Sequence, residues 1–163
     1  DAAVAYQKEA YPNMTLLEAQ PRVESHDNGD TAYNVAKECF KAYPELKGIM
    51  GTSSFDAPGV ARAIDELGLI DKCFTTGTGM PADNAALLKS GTIKSLTLWD
   101  PAIAGQAMIS LAVKVLNGET ISGPVDLGVE GYTAMEFRPD STTVLEGQGW
   151  ITIDAENVDS FGF

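Results

Sequence analysis

The feature that most constrains this chain is a regular alternation between short apolar runs and longer segments patterned for helices. The runs are Gly48-Ile49-Met50-Gly51, Cys73-Phe74-Thr75-Thr76-Gly77 and Ile93 to Trp99, with an earlier candidate strand at Thr15-Leu16-Leu17-Glu18-Ala19. Between them, Asp30 to Tyr43 carries Ala32, Val35, Ala36, Cys39 and Phe40 at helical spacing and stops at Pro44. Pro58 opens a second helix with Val60, Ala61, Ile64 and Leu67 inward and Gly68 as its stop, and Pro81 opens a third that ends at Ser90-Gly91. A longer helix runs from Ala102 to Leu116 and closes at Asn117-Gly118. Strands separated by helices cannot pair as hairpins; they need crossovers, which are right-handed and build a parallel sheet with helices on both faces. The fold class that follows is α/β, a doubly wound parallel sheet.

After Gly118 the texture changes. Ile121 to Val125, Tyr132 to Phe137 and Gly149 to Ile153 read as extended segments and loops rather than another strand-helix-strand unit. At the other end, Ala2, Ala5, Tyr6 and Glu9 fall on helical spacing and Tyr11-Pro12-Asn13 stops the run, so the chain opens as if inside a helix. With no initiator methionine, basic region or apolar leader at Asp1, the expectation is a fragment or processed chain. No run approaches the ~20 apolar residues of a membrane span.

Composition removes several classes of function. Eleven basic and 23 acidic residues leave a net charge of −12, which opposes nucleic acid and anionic membrane surfaces, because affinity for polyanions comes largely from Lys and Arg. Two cysteines and the single His26 cannot build a zinc site, and no G-x-S-x-G elbow is present, so neither a metal centre nor a hydrolase is expected. Cys39 on a helix face and Cys73 at the start of a strand read as small buried hydrophobes.

In open parallel sheets ligands lie beyond the carboxyl ends of the strands. The residues there are Thr52 to Pro58, Thr78-Gly79-Met80 and Trp99-Asp100-Pro101. Phe55 and Trp99 offer aromatic faces while Asp56, Thr78 and Asp100 offer acceptors, a combination that suits a sugar. The competing reading is helix capping by Ser53, Ser54 and Thr78, and a core tryptophan at Trp99. Gly77-Thr78-Gly79-Met80-Pro81-Ala82 matches a degenerate dinucleotide pattern, but the stretch has no basic residue and Asp83 opposes a pyrophosphate, so no cofactor is expected. The acidic loop Glu24 to Asp30 lacks the calcium-loop spacing and reads as a solvated turn in which Asp27 or Asp30 caps the next helix.

Three stretches carry a resemblance: Lys41-Ala42-Tyr43-Pro44-Glu45-Leu46-Lys47-Gly48-Ile49-Met50, Ala57-Pro58-Gly59-Val60-Ala61-Arg62-Ala63, and Gly91 through Leu98-Trp99-Asp100. Together with Gly149 to Val158 they resemble type I periplasmic solute-binding proteins of ABC importers, nearest to the branch of the autoinducer-2 and rhamnose-type sugar receptors. The resemblance implies two lobes with ligand trapped between them by hinge closure. Residues 1–100 would then be the C-terminal lobe, 101–140 a helix and strand packing with an N-terminal lobe, and 141–163 a tail returning to the C-terminal lobe. It further implies ligand contacts through the backbone at Pro58 and Val60 and a pocket edge at Trp99 and Asp100. The implied partners are a small sugar-like ligand, the N-terminal lobe and an ABC permease, outside the cytoplasm. On this reading the protein is not an enzyme, and without the other lobe the helix from Ala102 to Leu116 self-associates. The effector domain of a LacI-type regulator shares the fold and is the alternative.

Overall fold

The computed structural model describes residues 2–17 and 22–163. Among the described residues the elements are α1 (Ala2–Ala10), α2 (Gly29–Ala42), β1 (Gly48–Met50), α3 (Asp56–Glu66), β2 (Phe74–Thr78), α4 (Pro81–Ser90), β3 (Ile93–Trp99) and α5 (Pro101–Leu116). The tail adds β4 (Glu136–Phe137), β5 (Leu145–Glu146), β6 (Trp150–Ile153) and a 3₁₀ turn at Val158–Ser160. The mixed α/β class holds, with a sheet ordered β1-β2-β3-β6 in which β1, β2 and β3 are parallel. The fourth strand comes from the tail and runs antiparallel to β3, with Leu96 opposite Ile153 and Trp99 opposite Trp150.

Local chemistry sets most boundaries. Pro81 occupies the first turn of α4, where its missing N–H is no loss, and Gly91 closes that helix at a φ of 80° that favours glycine. Three expectations need correction. The cap of α2 is Asn28, whose Oδ1 accepts from Thr31 N at 2.9 Å, rather than Asp27 or Asp30. Helix α3 starts at Asp56, two residues before Pro58, because the Asp56 carboxylate accepts the N–H groups of Thr52 and Ser53 and closes the turn. Pro58 is tolerated there since the first four N–H groups of a helix have no intrahelical partner. Thr15 to Leu17 form no strand; Glu18 and Ala19, the rest of that expected strand, lie outside the described residues.

Helix α3 is the centre of packing. On one side Ala57 and Ala61 meet Leu88, Ile93, Leu96, Leu98, Ile153 and Val158, all nearly solvent-free. On the other, Val60, Ala63 and Ile64 pack with Ala36, Phe40 and Cys73. Leu67, expected inward, is exposed, because it forms the C-terminal cap and lies beyond the packed turn. Cys39 is half-buried and Cys73 buried, both as thiols. The α2–α3 crossing is close: a Cβ on Gly59 would stand 2.6 Å from the Gly29 carbonyl oxygen and 2.7 Å from Ala32 Cβ. Helices α2, α3 and α4 all cover the face of the sheet that carries Ile49, Leu96, Leu98 and Ile153. Strand alternation sends Met50, Phe74, Trp99 and Trp150 to the opposite face, where each is exposed, and among the described residues no helix covers that face. Helix α5 stands apart, burying Ala107 against Val125, Leu127 and Met135 of the tail.

Candidate functional site

Because β1, β2 and β3 are parallel, their carboxyl ends share one edge of the sheet, and the antiparallel β6 brings its own start to that edge. Four loops therefore converge: Gly51 to Phe55, Thr78 to Met80, Trp99-Asp100 and Gln148 to Trp150. The loop before α2 joins them, since the Ser53 hydroxyl donates to the Asp27 carboxylate. His26 and Asp27 both hold a φ of 54°, a left-handed pair that turns the chain so that Asn28 reaches its cap. Strained, non-glycine backbone of this kind gathers at functional sites.

The Asp56 carboxylate is the best-held acidic group of the edge. Its Oδ2 accepts from Thr52 N and Ser53 N, both at 2.9 Å, and Oδ1 is buried with no hydrogen-bond partner. Burial alone would raise its pKa, but hydrogen bonds from the Ser25 hydroxyl and the Ser53 and Thr52 N–H groups outweigh burial and hold it below the usual aspartate range. Asp56 is therefore a fixed anion with an unused acceptor.

The remaining predicted residues separate into those at the edge and those beneath it. Thr78 ends β2 opposite Thr97 and does not cap α4, whose N-cap is Met80 with no side-chain hydrogen bond. Trp99 is 44% exposed and stands edge-to-face against Trp150, with ring centroids 5.4 Å apart. Asp100 is a helix cap as well as an edge residue: its Oδ1 accepts from Ala102 N at 2.8 Å and Ile103 N at 3.1 Å. Phe55 is half-exposed and lies over the start of α2, beside Asn28, Pro58 and Arg62. The Val60 side chain is buried in the core, so that position offers only backbone. Ser53 does not cap α3, whose N-cap is Phe55 without a side-chain cap; its Oγ accepts from Phe55 N at 3.2 Å in the turn ahead of the helix.

The glycines of the dinucleotide-like pattern have a steric explanation. A Cβ on Gly77 would stand 2.8 Å from the Gly51 carbonyl oxygen, so glycine there lets β1 and β2 approach at the edge. Among the described residues no group of three or more His, Cys, Asp or Glu side chains is placed to hold a metal. Sequence reasoning missed Trp150 and Asp27 as members of the edge. Trp150 is exposed and preceded by Gly147-Gln148-Gly149, a turn signal before a strand, but only the antiparallel pairing brings it beside Trp99.

Comparison with known proteins bears on this edge. The profile of the periplasmic binding protein domain matches residues 1–120. Among solved structures, the chain is similar to LsrB from Clostridium saccharobutylicum in complex with AI-2, with TM-score 0.74 and 19% identity, over 98% of this chain and 53% of that one. It is similar to an ABC transporter solute-binding protein from Clostridium phytofermentas with bound L-rhamnose, with TM-score 0.75 and 18% identity, over 97% and 52%. A sugar ABC transporter from Actinomyces odontolyticus aligns with TM-score 0.70 and 23% identity, over 86% and 45%. At these identities the likeness is one of fold, and this chain spans about half the length of each structure it matches. The regulator alternative draws no support from these matches.

Proposed function

The chain belongs to the periplasmic binding protein domain family, and from that premise we propose that it forms one wall of a cleft that takes up a small sugar or sugar-like signal for an ABC permease outside the cytoplasm. What supports this reading is that Asp56, Ser53, Thr78 and Trp99 all lie at or just after the ends of parallel strands and so along one edge of the sheet, with Asp56 held as an anion and the Trp99 ring partly exposed. An aromatic face packs on the apolar C–H side of a pyranose while carboxylate and hydroxyls take its hydroxyl groups. Phe55, Pro58, Val60 and Asp100 complete the proposed wall, Pro58 and Val60 through backbone and Asp100 at the crossing into α5. The ligands of the similar structures, L-rhamnose and AI-2, define the chemical range to test.

A half cleft binds weakly, because closure needs contacts from both sides of the ligand. The second wall would be an N-terminal lobe seated on α5, whose Met108, Ile109 and Leu116 are exposed. In its absence the same face drives self-association. Calorimetric titration of L-rhamnose tests the reading on two forms, this chain alone and a two-lobed polypeptide containing it. The expected result is heat only from the two-lobed form and at least a tenfold loss of affinity with Trp99→Ala. Tight binding by the isolated chain, or indifference to Trp99→Ala, would overturn it.

A further inference from the structure

Trp99 and Trp150 are the chain's two tryptophans, and the antiparallel pairing of β3 with β6 sets them directly opposite one another at the carboxyl edge. Side chains so placed leave the same face of the sheet with Cβ atoms about 4.5–5.5 Å apart, close enough for large rings to touch. Here the ring centroids are 5.4 Å apart and the planes cross at 85°, edge-to-face. Whichever ring supplies the edge, Trp99 keeps at least one face out of the contact. None of the three apolar clusters includes either ring, so each has the other as its main aromatic neighbour. The two residues differ in how their backbones are held. Trp99 ends β3, and the chain turns at once into α5, which packs on the tail rather than on the sheet. Trp150 opens β6 from a stretch that is fixed on its other side as well. Gln148 N donates to the Gly131 carbonyl at 2.8 Å, a Cβ on Gly131 would stand 2.7 Å from Gly149 Cα, and one on Gly149 would run into the Tyr132 ring. That close crossing makes Trp150 the firmer post of the pair.

We propose that Trp150 is a positioning residue for the ligand site: it does not touch the ligand itself but holds the Trp99 ring in one orientation, so that an open indole face is presented to the apolar C–H side of a sugar before the sugar arrives. A tryptophan side chain has two torsions, and one well-placed neighbour removes most of their freedom. Ordering the ring in advance lowers the entropic cost of binding, which reads as higher affinity with no added contact. The restraint follows from the ring geometry alone; its effect on affinity rests on the reading of Trp99 as part of the cleft wall. Recognition then depends on β6 as well as on the loops after the parallel strands, because the beginning of β6, rather than its end, reaches the edge.

Replacing Trp150 leaves Trp99 as the sole tryptophan, so fluorescence then reports the motion of that ring. Time-resolved anisotropy of the 163-residue chain is compared for Trp150→Phe, which keeps an aromatic edge and face, and Trp150→Ala, which removes them. Expected is a fast nanosecond depolarisation of Trp99 in the alanine variant that the phenylalanine variant lacks. Trp150→Leu, which keeps apolar bulk in the strand but no ring, gives the same depolarisation and separates it from a folding defect. The second arm is calorimetric titration of L-rhamnose into a two-lobed polypeptide containing this chain. Affinity falls about three- to tenfold with Trp150→Ala, the size of one aromatic pair contact, and stays within about twofold with Trp150→Phe. Once Trp99→Ala is present, adding Trp150→Ala changes affinity by less than about twofold, since the two residues act as one unit. Additive losses in the double variant overturn the proposal, because Trp150 then touches the ligand directly. Equal Trp99 mobility in the phenylalanine and alanine variants overturns it as well. A two-lobed polypeptide that binds no L-rhamnose, with the mobility contrast intact, overturns the cleft reading and the effect on affinity with it, and supports the restraint.

Discussion

Helices α3 and α5 both leave the same edge of the sheet, yet they are buried in inverse order of apolarity. Helix α3 has 11 residues, including Asp56, Arg62, Asp65 and Glu66, and buries Ala57, Gly59, Val60, Ala61, Ala63 and Ile64. Helix α5 has 16 residues with Lys114 as its one charge, and buries Ala107. The apolar positions of α3 are buried on two sides, against the sheet and α4 through Ala57 and Ala61 and against α2 through Val60, Ala63 and Ile64, while its charged residues stay outside. A helix apolar on all sides needs more surroundings than this chain supplies. The difference teaches that composition measures how much burial a helix requires, while packing shows whether its partners are present.

The largest test of that contrast is a pair of isoleucines. Ile64→Ala removes a solvent-free side chain from the α2–α3 core and is expected to cost about 2–5 kcal/mol in denaturant unfolding. Ile109→Ala, at a position 68% exposed, is expected to cost under ~0.5 kcal/mol in the same assay. Equal losses at the two sites would break the comparison.

Caps sharpen it at the next scale. Asn28→Ala and Asp100→Ala each remove a side-chain cap with an expected cost of about 1 kcal/mol to its own helix. The Asn28 loss should lower the global melting midpoint, because α2 is integral to the core. The Asp100 loss should appear as faster amide exchange within α5 while the midpoint holds, since α5 opens separately.

A smaller effect comes from pH. The folded-state pKa of Asp56 is depressed, so its contribution is full above the unfolded value near ~3.9 and is lost as pH falls through the lower folded value. Asp56→Asn should flatten the acid limb of the stability curve below about pH 4, by under ~1 kcal/mol given the partial exposure of the side chain. No change in that limb would remove Asp56 as the fixed anion of the edge. The smallest effect in stability is Ile109→Lys, expected within ~0.5 kcal/mol of the parent but with reduced self-association in light scattering.

Legibility in the sequence followed the range of the interactions involved. Helix α4 and strand β3 have the bounds expected of them, because Pro81, Gly91 and the seven-residue run from Ile93 to Trp99, with Ile93, Leu96, Leu98 and Trp99 as its apolar members, act on their immediate neighbours. The sequence pointed to Asp27 or Asp30 as the cap of α2 and passed over Asn28, since the choice rests on the left-handed turn at His26 and Asp27. The start of α3 moved to Asp56 because a carboxylate reaching back to Thr52 and Ser53 outweighs the usual place of a proline at the first helical position.

The candidate edge divides in the same way. Asp56, Thr78, Trp99 and Asp100 follow from the rule that loops after parallel strands share one edge. Trp150 and Asp27 join them through contacts across 51 and 26 positions, to Trp99 and Ser53. The sequence by itself determined the α/β class, the helix stops and the excess of acidic charge, all of which arise from backbone preference and composition. Only the tertiary structure decided that the fourth strand runs antiparallel, that three helices share one face and that an apolar helix is left largely exposed. Those depend on which distant surfaces meet, and a periodic pattern records that a face must be buried without recording against what.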